Sequence, residues 1–246
     1  MTRAKYKDLG KRTVEFYGHG IKNLLDTEIK GRLIVIEGPD ASGRSTQIQD
    51  ITTRLEADGH AVLNTGLKRS ELVGRGILEA KRDYNLGRKT LALYYAADFA
   101  DQFEYKIIPA LQAGYIVLAD RYIYTLIARN LVRGLDRTWC HNLYGFAIKP
   151  DIVFYLDVEP TVLIHRVFQK NSTLDHYESG ADIGLSEDMY ESFLIYQKRI
   201  SQEFHAMQKN MVWYPSMEIE QCQKYKMIFK RELMFFFNVL VINKQT

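Results

Sequence analysis

Apolar runs alternate with longer amphipathic stretches along most of this chain, and the alternation starts at residue 32. Arg32-Leu-Ile-Val-Ile-Glu37 is a short, β-branched run of the kind that forms a strand buried on both faces. Residues 45–57 read as a helix, 61–65 as a second strand and 71–82 as a further helix. A long helical stretch over residues 88–113 is ended by Gly114. Residues 115–119, YIVLA, form another apolar strand. Helical patterns return over 124–132 and about 137–147, and Pro150 then precedes the strand 151–157. Pro160 opens the next helix in its favoured first-turn position. Residues 170–186 are polar and contain glycine; a long helix follows over about 187–209, then a last strand at 211–214 and a closing amphipathic helix at 218–237.

Upstream of this, Val14, Ile21, Leu24, Leu25 and Ile29 can share one helix face. Residues 1–30 are therefore expected to be a helical N-terminal extension packed on a domain spanning 31–246. A partner-binding or membrane-surface segment is the other reading. Strands alternating with helices mean βαβ units, an α/β fold and a parallel sheet covered by helices on both faces. Ligands bind such sheets at the carboxyl ends of the strands. Residues 38–46, Asp120-Arg121 and Asp157 all fall at such ends, with Asp157 expected to cap the helix after it.

Residues 38–46, GPDASGRST, carry the clearest chemistry. A loop of the form Gly-x4-Gly-Lys-Ser/Thr between a strand and a helix turns backbone N–H groups around a phosphate at the positive end of that helix. Gly38 and Gly43 have this spacing, and Ser45 occupies the position that ligates Mg²⁺; Pro39, Ala41, Ser42 and Thr46 complete the expected nucleotide cradle. Arg44 stands where lysine is usual. It keeps the charge, but guanidinium is broad and planar where ammonium is a compact point charge. Asp120 can hold Mg²⁺ through water, and Arg121 can clamp an anionic acceptor. Asp40 lies inside the loop, where a carboxylate would repel nucleotide phosphates, so its expected partner is a sugar hydroxyl or an arginine of the acceptor site. Arg69, after the second strand, is a further candidate ligand for an acceptor phosphate.

Composition narrows the function classes. With 46% apolar and 26% charged residues among 246, the chain has the make-up of a globular protein. Its net charge of +3 is carried by the first 30 residues, leaving a neutral body, which argues against a nucleic-acid surface. Cys140 and Cys222 lack metal-like spacing and read as free thiols of a reducing cytoplasm. No run approaches the roughly 18 apolar residues needed to span a bilayer.

Taken together, these segments resemble the thymidylate kinase family of P-loop nucleoside monophosphate kinases. The resemblance runs over about residues 33–214. It is carried by IEGPDASGRSTQ at 36–47, LALYYAADFADQ at 91–102, VLADRYIYTLIARN at 117–130 and PDIVFYLDVEPTVLIHR at 150–166. It implies a five-stranded parallel sheet, a homodimer through the long helices, and transfer of the ATP γ-phosphate to a deoxynucleoside monophosphate with Mg²⁺, most simply dTMP to dTDP. By the same resemblance Asp40 lies near the sugar 3′-hydroxyl, and Arg69 and Arg121 hold the acceptor phosphate. Tyr95 stacks on the base, Asn130 joins the substrate-binding set, and residues 170–186 are the short lid over ATP.

Three positions depart from the family pattern. Arg44 replaces the loop lysine, and Phe99 stands where an arginine meets the thymine edge. Asp175-His176-Tyr177-Glu178 falls where bacterial relatives often read Asp-Arg-x-Glu. Ala41 supplies no transition-state cation, which leaves Arg166 and Lys170 as replacements. Two alternatives stay open beside an active kinase: a catalytically weakened NTP-binding regulatory protein, and a P-loop kinase for another acceptor.

Overall fold

In the computed structural model, residues 9–25, 27–82, 86–171, 173–207 and 212–214 are described. Cys222 and the expected closing helix at 218–237 lie outside them, as does the side chain of Lys170. The N-terminal segment departs from expectation. Instead of an α-helix it forms β1 (Arg12–Thr13), a 3-10 turn at Lys22–Leu24, and β2 (Glu28–Ile29), with the two strands antiparallel. Gly18 and Gly20 interrupt the helical pattern, and Gly20 has φ 69°. The backbone bonds instead to residues 145–149. Tyr17 N–H donates to Ala147 O at 2.8 Å, Gly18 N–H to Gly145 O at 2.9 Å, and Lys149 N–H to Glu15 O at 2.7 Å. A Cβ on Gly18 would meet the Gly145 Cα at 2.8 Å, so this strap needs glycine.

The main elements follow in the predicted order. They are β3 (Arg32–Glu37), α1 (Arg44–Ala57), β4 (Val62–Gly66), α2 (Gly74–Arg82) and α3 (Arg88–Gln102). A π-helical turn, Phe103–Ile107, carries α3 into α4 (Ile108–Gln112), so the expected long helix is continuous with one bulge. Next come β5 (Ile116–Asp120), α5 (Ile123–Val132), α6 (Arg137–Leu143), β6 (Ile152–Leu156), α7 (Pro160–Asn171), α8 (Met189–Ala206) and β7 (Val212–Tyr214).

Five parallel strands pair in the order β4-β5-β3-β6-β7. Every residue of central β3 is buried. Its side chains alternate between faces, as a pleated strand requires. Ile34 and Ile36 pack with Ile48, Ile51 and Leu55 of α1, whereas Leu33 and Val35 join the larger core beneath α3 and α5. The register brings Ile36 opposite Asp120, Asp120 opposite Gly66, and Glu37 opposite Tyr155. The carboxyl ends of β3, β4, β5 and β6 are therefore level, and the loop after β3 lies along that edge. Among the described residues no helix is long and apolar enough to cross a membrane.

Candidate active site

The loop between β3 and α1 turns on two glycines. Gly38 has φ 148° and Gly43 has φ 97°, backbone conformations that side chains disfavour; Ala41 is also left-handed at 62°. At Gly38 a Cβ would also press on the Ser42 hydroxyl at 2.9 Å and the Leu156 carbonyl at 3.0 Å. The first-turn N–H groups of α1 have no intrahelical acceptor and, with the helix dipole, form an anion seat. Ser45 and Thr46 are exposed there, while Ser42 is buried and donates its N–H to Pro39 O at 3.3 Å.

Arg44 does not extend from the loop. Its side chain folds back and is buried. Nε donates to Asp120 Oδ1 at 2.8 Å. Nη1 donates to Gly38 O at 2.5 Å, to Pro39 O, and to Ser42 Oγ at 3.4 Å. Nη2 lies 3.8 Å from Asp40 Oδ1. Asp40 in turn gathers two more guanidinium groups, Arg121 Nη2 at 2.5 Å and Arg129 Nη2 at 2.9 Å. Burial alone would raise the Asp40 pKa. Arg121, Arg129 and Arg44 overcome that and hold the carboxyl well below its usual range. Of the two partners anticipated for Asp40, the structure thus supplies the arginines.

Asp120 ends β5 facing two cations, Arg44 and, at 3.5 Å, Arg69 Nη2. Arg69 also donates to Thr65 O at 3.1 Å. Its turn is shaped by Asp98 of α3, a fully buried carboxylate that accepts from the N–H groups of Lys68 at 2.7 Å and Ser70 at 2.9 Å. Burial pushes the Asp98 carboxyl above its ordinary pKa. Arg121 follows Asp120 directly and has φ 72°, which costs a non-glycine residue about 1–2 kcal/mol. Glu37 holds this turn in place. Wholly buried at the end of β3, it accepts from Tyr122 N–H at 2.9 Å, Thr125 N–H at 3.2 Å and the Thr125 hydroxyl. Burial raises its pKa to about 7 against those donors.

Ser45, Arg69 and Asp120 line one groove of about 210 Å³, together with Gln49, Thr52 and Asn64. An exposed hydroxyl and a carboxylate facing one space are the hard oxygen donors that Mg²⁺ takes, with phosphate oxygens and water completing its shell. Among the described residues no group of three or more His, Cys, Asp or Glu side chains could hold a metal.

The other expected site residues are placed unevenly. Arg166 of α7 reaches the loop, Nη1 lying 3.4 Å from Ala41 O. Tyr95 is buried on α3. Phe99 is buried too, among the rings of Tyr122 at 5.0 Å, Phe103 and Phe146 each at 5.6 Å, and Tyr144 at 6.2 Å. At 4% exposure among these rings it belongs to an aromatic core and not to an open pocket wall. Asn130 faces Cys140 and Tyr144, on α6 and at its end. Asp157, expected to cap α7, faces Ser201 and His205 of α8.

The segment anticipated as a lid is docked on the helices. Arg133 donates to Asp182 at 2.7 Å and 3.1 Å, to Tyr177 O at 2.7 Å and to Tyr196 OH at 2.6 Å. Lys81 of α2 pairs with Asp175 at 3.3 Å. Sequence reasoning missed Arg129, Arg133, Asp98 and Glu37.

Residues 36–212 match the family described as Thymidylate kinase. A protein named Probable thymidylate kinase 2 from Saccharolobus solfataricus is 37% identical over 181 residues, 74% of this chain and 84% of the relative. A Probable thymidylate kinase from Thermococcus kodakarensis is 36% identical over 146 residues, 54% of this chain and 70% of that one. The Thymidylate kinase of Brachyspira hyodysenteriae is 28% identical over 166 residues, 67% and 82% of the two chains.

Proposed function

The chain belongs to the thymidylate kinase family and is a nucleoside monophosphate kinase, and we propose that it transfers the γ-phosphoryl group of ATP to dTMP with Mg²⁺, giving dTDP and ADP. An oxygen of the acceptor phosphate attacks the γ-phosphorus. The bond from that phosphorus to the β,γ-bridging oxygen breaks in line, and ADP departs with the electron pair. Such a reaction needs positioning and charge neutralisation and no covalent protein intermediate. Bound Mg²⁺, held by Ser45 and through water by Asp120, would neutralise charge on the donor phosphates.

The observation that supports this reading best is the convergence at one sheet edge. The loop of residues 38–46 follows β3, Asp120 and Arg121 end β5, and Arg69 follows β4 with its guanidinium on Asp120. In the proposal, loop N–H groups hold the donor phosphates and Arg166 approaches them beside Ala41. Asp40, Arg69 and Arg121 form the acceptor side, with Tyr95 stacking on the base. A homodimer through α2, α3 and the turns flanking them would cover Leu72, Leu78, Leu93 and Tyr105, apolar side chains that are all more than half exposed. The free thiol of Cys140 suits a reducing cytoplasm.

A second reading, a shifted acceptor base, is favoured by one feature. Phe99 is committed to the aromatic core and offers no donor to a thymine edge. ADP release from Mg·ATP over a panel of nucleoside monophosphates, nucleosides and polyphosphate separates the cases. Turnover with dTMP above all others is expected, and preference for another monophosphate establishes the second reading. ATP binding without turnover on any acceptor refutes both.

A further inference from the structure

An unbroken chain of alternating charges runs beneath the phosphate loop. Arg69 pairs with Asp120, Asp120 with Arg44, Arg44 with Asp40, and Asp40 with both Arg121 and Arg129. Arg44 is the only link between the two carboxylates in this chain of contacts. It makes the link because a guanidinium presents three separate nitrogens in a fixed plane, one toward Asp120, one toward the loop carbonyls and one toward Asp40. A lysine ammonium at the same position is a single point and cannot meet all three at once. Both acidic partners and the Gly38 and Pro39 carbonyls turn the Arg44 charge inward, and only about a tenth of its side chain is exposed. The exposed Ser45 and Thr46 and the first-turn N–H groups form the outward face of the loop.

We propose that Arg44 is a positioning residue for the acceptor half of the site and not a ligand of the donor phosphates. It fixes the spacing of Asp40 and Asp120, and these hold Arg121, Arg129 and Arg69 where an anionic acceptor arrives. The donor phosphates rest on main-chain N–H groups. The substitution at the lysine position is then one half of a matched set, and restoring lysine damages the site instead of repairing it. This rests on the reading above that the loop binds a nucleotide donor and that Arg69 and Arg121 face the acceptor.

The test compares Arg44→Lys and Arg44→Met with the unaltered chain, measuring binding of Mg·ADP and of dTMP separately by calorimetry, and KM for each substrate. In Arg44→Lys, dTMP binding is expected to weaken and its KM to rise about tenfold, a loss of one or two charge-assisted contacts. Mg·ADP affinity should stay within about twofold. Folded Arg44→Met should weaken dTMP at least as much and still bind Mg·ADP. Loss of Mg·ADP binding in folded Arg44→Met overturns the proposal. So does an Arg44→Lys enzyme with unchanged dTMP affinity and raised kcat. If Arg44→Met does not fold, the Arg44→Lys result decides alone. If the unaltered chain binds Mg·ADP but turns over a different monophosphate, the reading of dTMP as acceptor has failed. The same comparison, run with that monophosphate, still tests Arg44.

Discussion

Asp40→Asn is the most direct probe of the charge cluster, because it removes one negative charge and almost no volume. In the native chain one carboxylate offsets Arg121 at 2.5 Å and Arg129 at 2.9 Å, with Arg44 at 3.8 Å. Removing one partner of a buried pair costs about 3–5 kcal/mol. The Asp40 side chain keeps 23% exposure, so solvent screens part of this and the lower bound, about 3 kcal/mol, applies. At about 2–4 °C per kcal/mol for a domain of this size, the melting temperature should fall by about 6–12 °C. The three guanidinium groups left facing one another then become a receptor for any anion. Inorganic phosphate binds the native state alone and stabilises it in proportion to the logarithm of its concentration above Kd. Adding phosphate at constant ionic strength should therefore recover more stability in Asp40→Asn than in the unaltered chain, with chloride as control. Because the arginines keep Asp40 ionised far into the acid range, the deficit should persist from about pH 8 down to about pH 5. A melting temperature within about 2 °C of the unaltered chain, or equal responses to phosphate, refutes the convergence of Arg121 and Arg129 on this carboxylate.

Glu37→Gln tests the buried carboxyl behind the Arg121 turn. Its folded pKa, about 7, lies above the ordinary 4.5, so its contribution is fully present below about pH 4.5 and lost as pH rises through about 7. Urea denaturation should show the unaltered chain losing about 3 kcal/mol over that window relative to Glu37→Gln; parallel profiles would count against it. Phe99→Arg should not create a thymine-reading donor but should bury a charge among four rings, destabilising the fold by more than about 3 kcal/mol by calorimetry, and a soluble variant with unchanged melting temperature disproves that placement. Arg133→Lys should speed amide hydrogen exchange over residues 177–184 by about tenfold to a hundredfold, the cost of about 1–3 kcal/mol in lost charge-assisted bonds, and unchanged exchange there means that Arg133 does not anchor the segment.

The parts of this site that local spacing specifies were legible, and the parts that distant partners specify were not. β3 and β5 announce themselves as continuous apolar runs because both faces are covered. The two loop glycines are required by their own backbone angles, so their spacing carries the message. The inward turn of Arg44 depends on Asp120, which is 76 positions away, and the N-terminal strap depends on residues 145–149; no local pattern encodes either. The resemblance places Phe99 at a base edge, whereas its direction is set by Phe103 of its own helix and by rings that two distant segments, at Tyr122 and at Tyr144 with Phe146, bring to it.

The sequence carries one further signal, in α5. Thr125, Arg129 and the C-cap residue Arg133 recur every four residues, which is one stripe of α5, and Arg121 stands four positions earlier in the turn that leads into it. Ile123, Tyr124, Leu126, Ile127 and Ala128 are all buried, so α5 has no water-facing side on which so many polar groups could rest. A polar stripe on a helix that is otherwise buried all round must meet partners inside the protein, since unpaired buried charge costs several kcal/mol. Those partners are Glu37 for Thr125, Asp40 for Arg121 and Arg129, and Asp182 for Arg133. Two of the three carboxylates sit in or beside the phosphate loop and the third in the segment docked over α5. Through these pairs α5 and the turn before it hold the loop of residues 38–46, Arg121, Arg129 and that segment in one register.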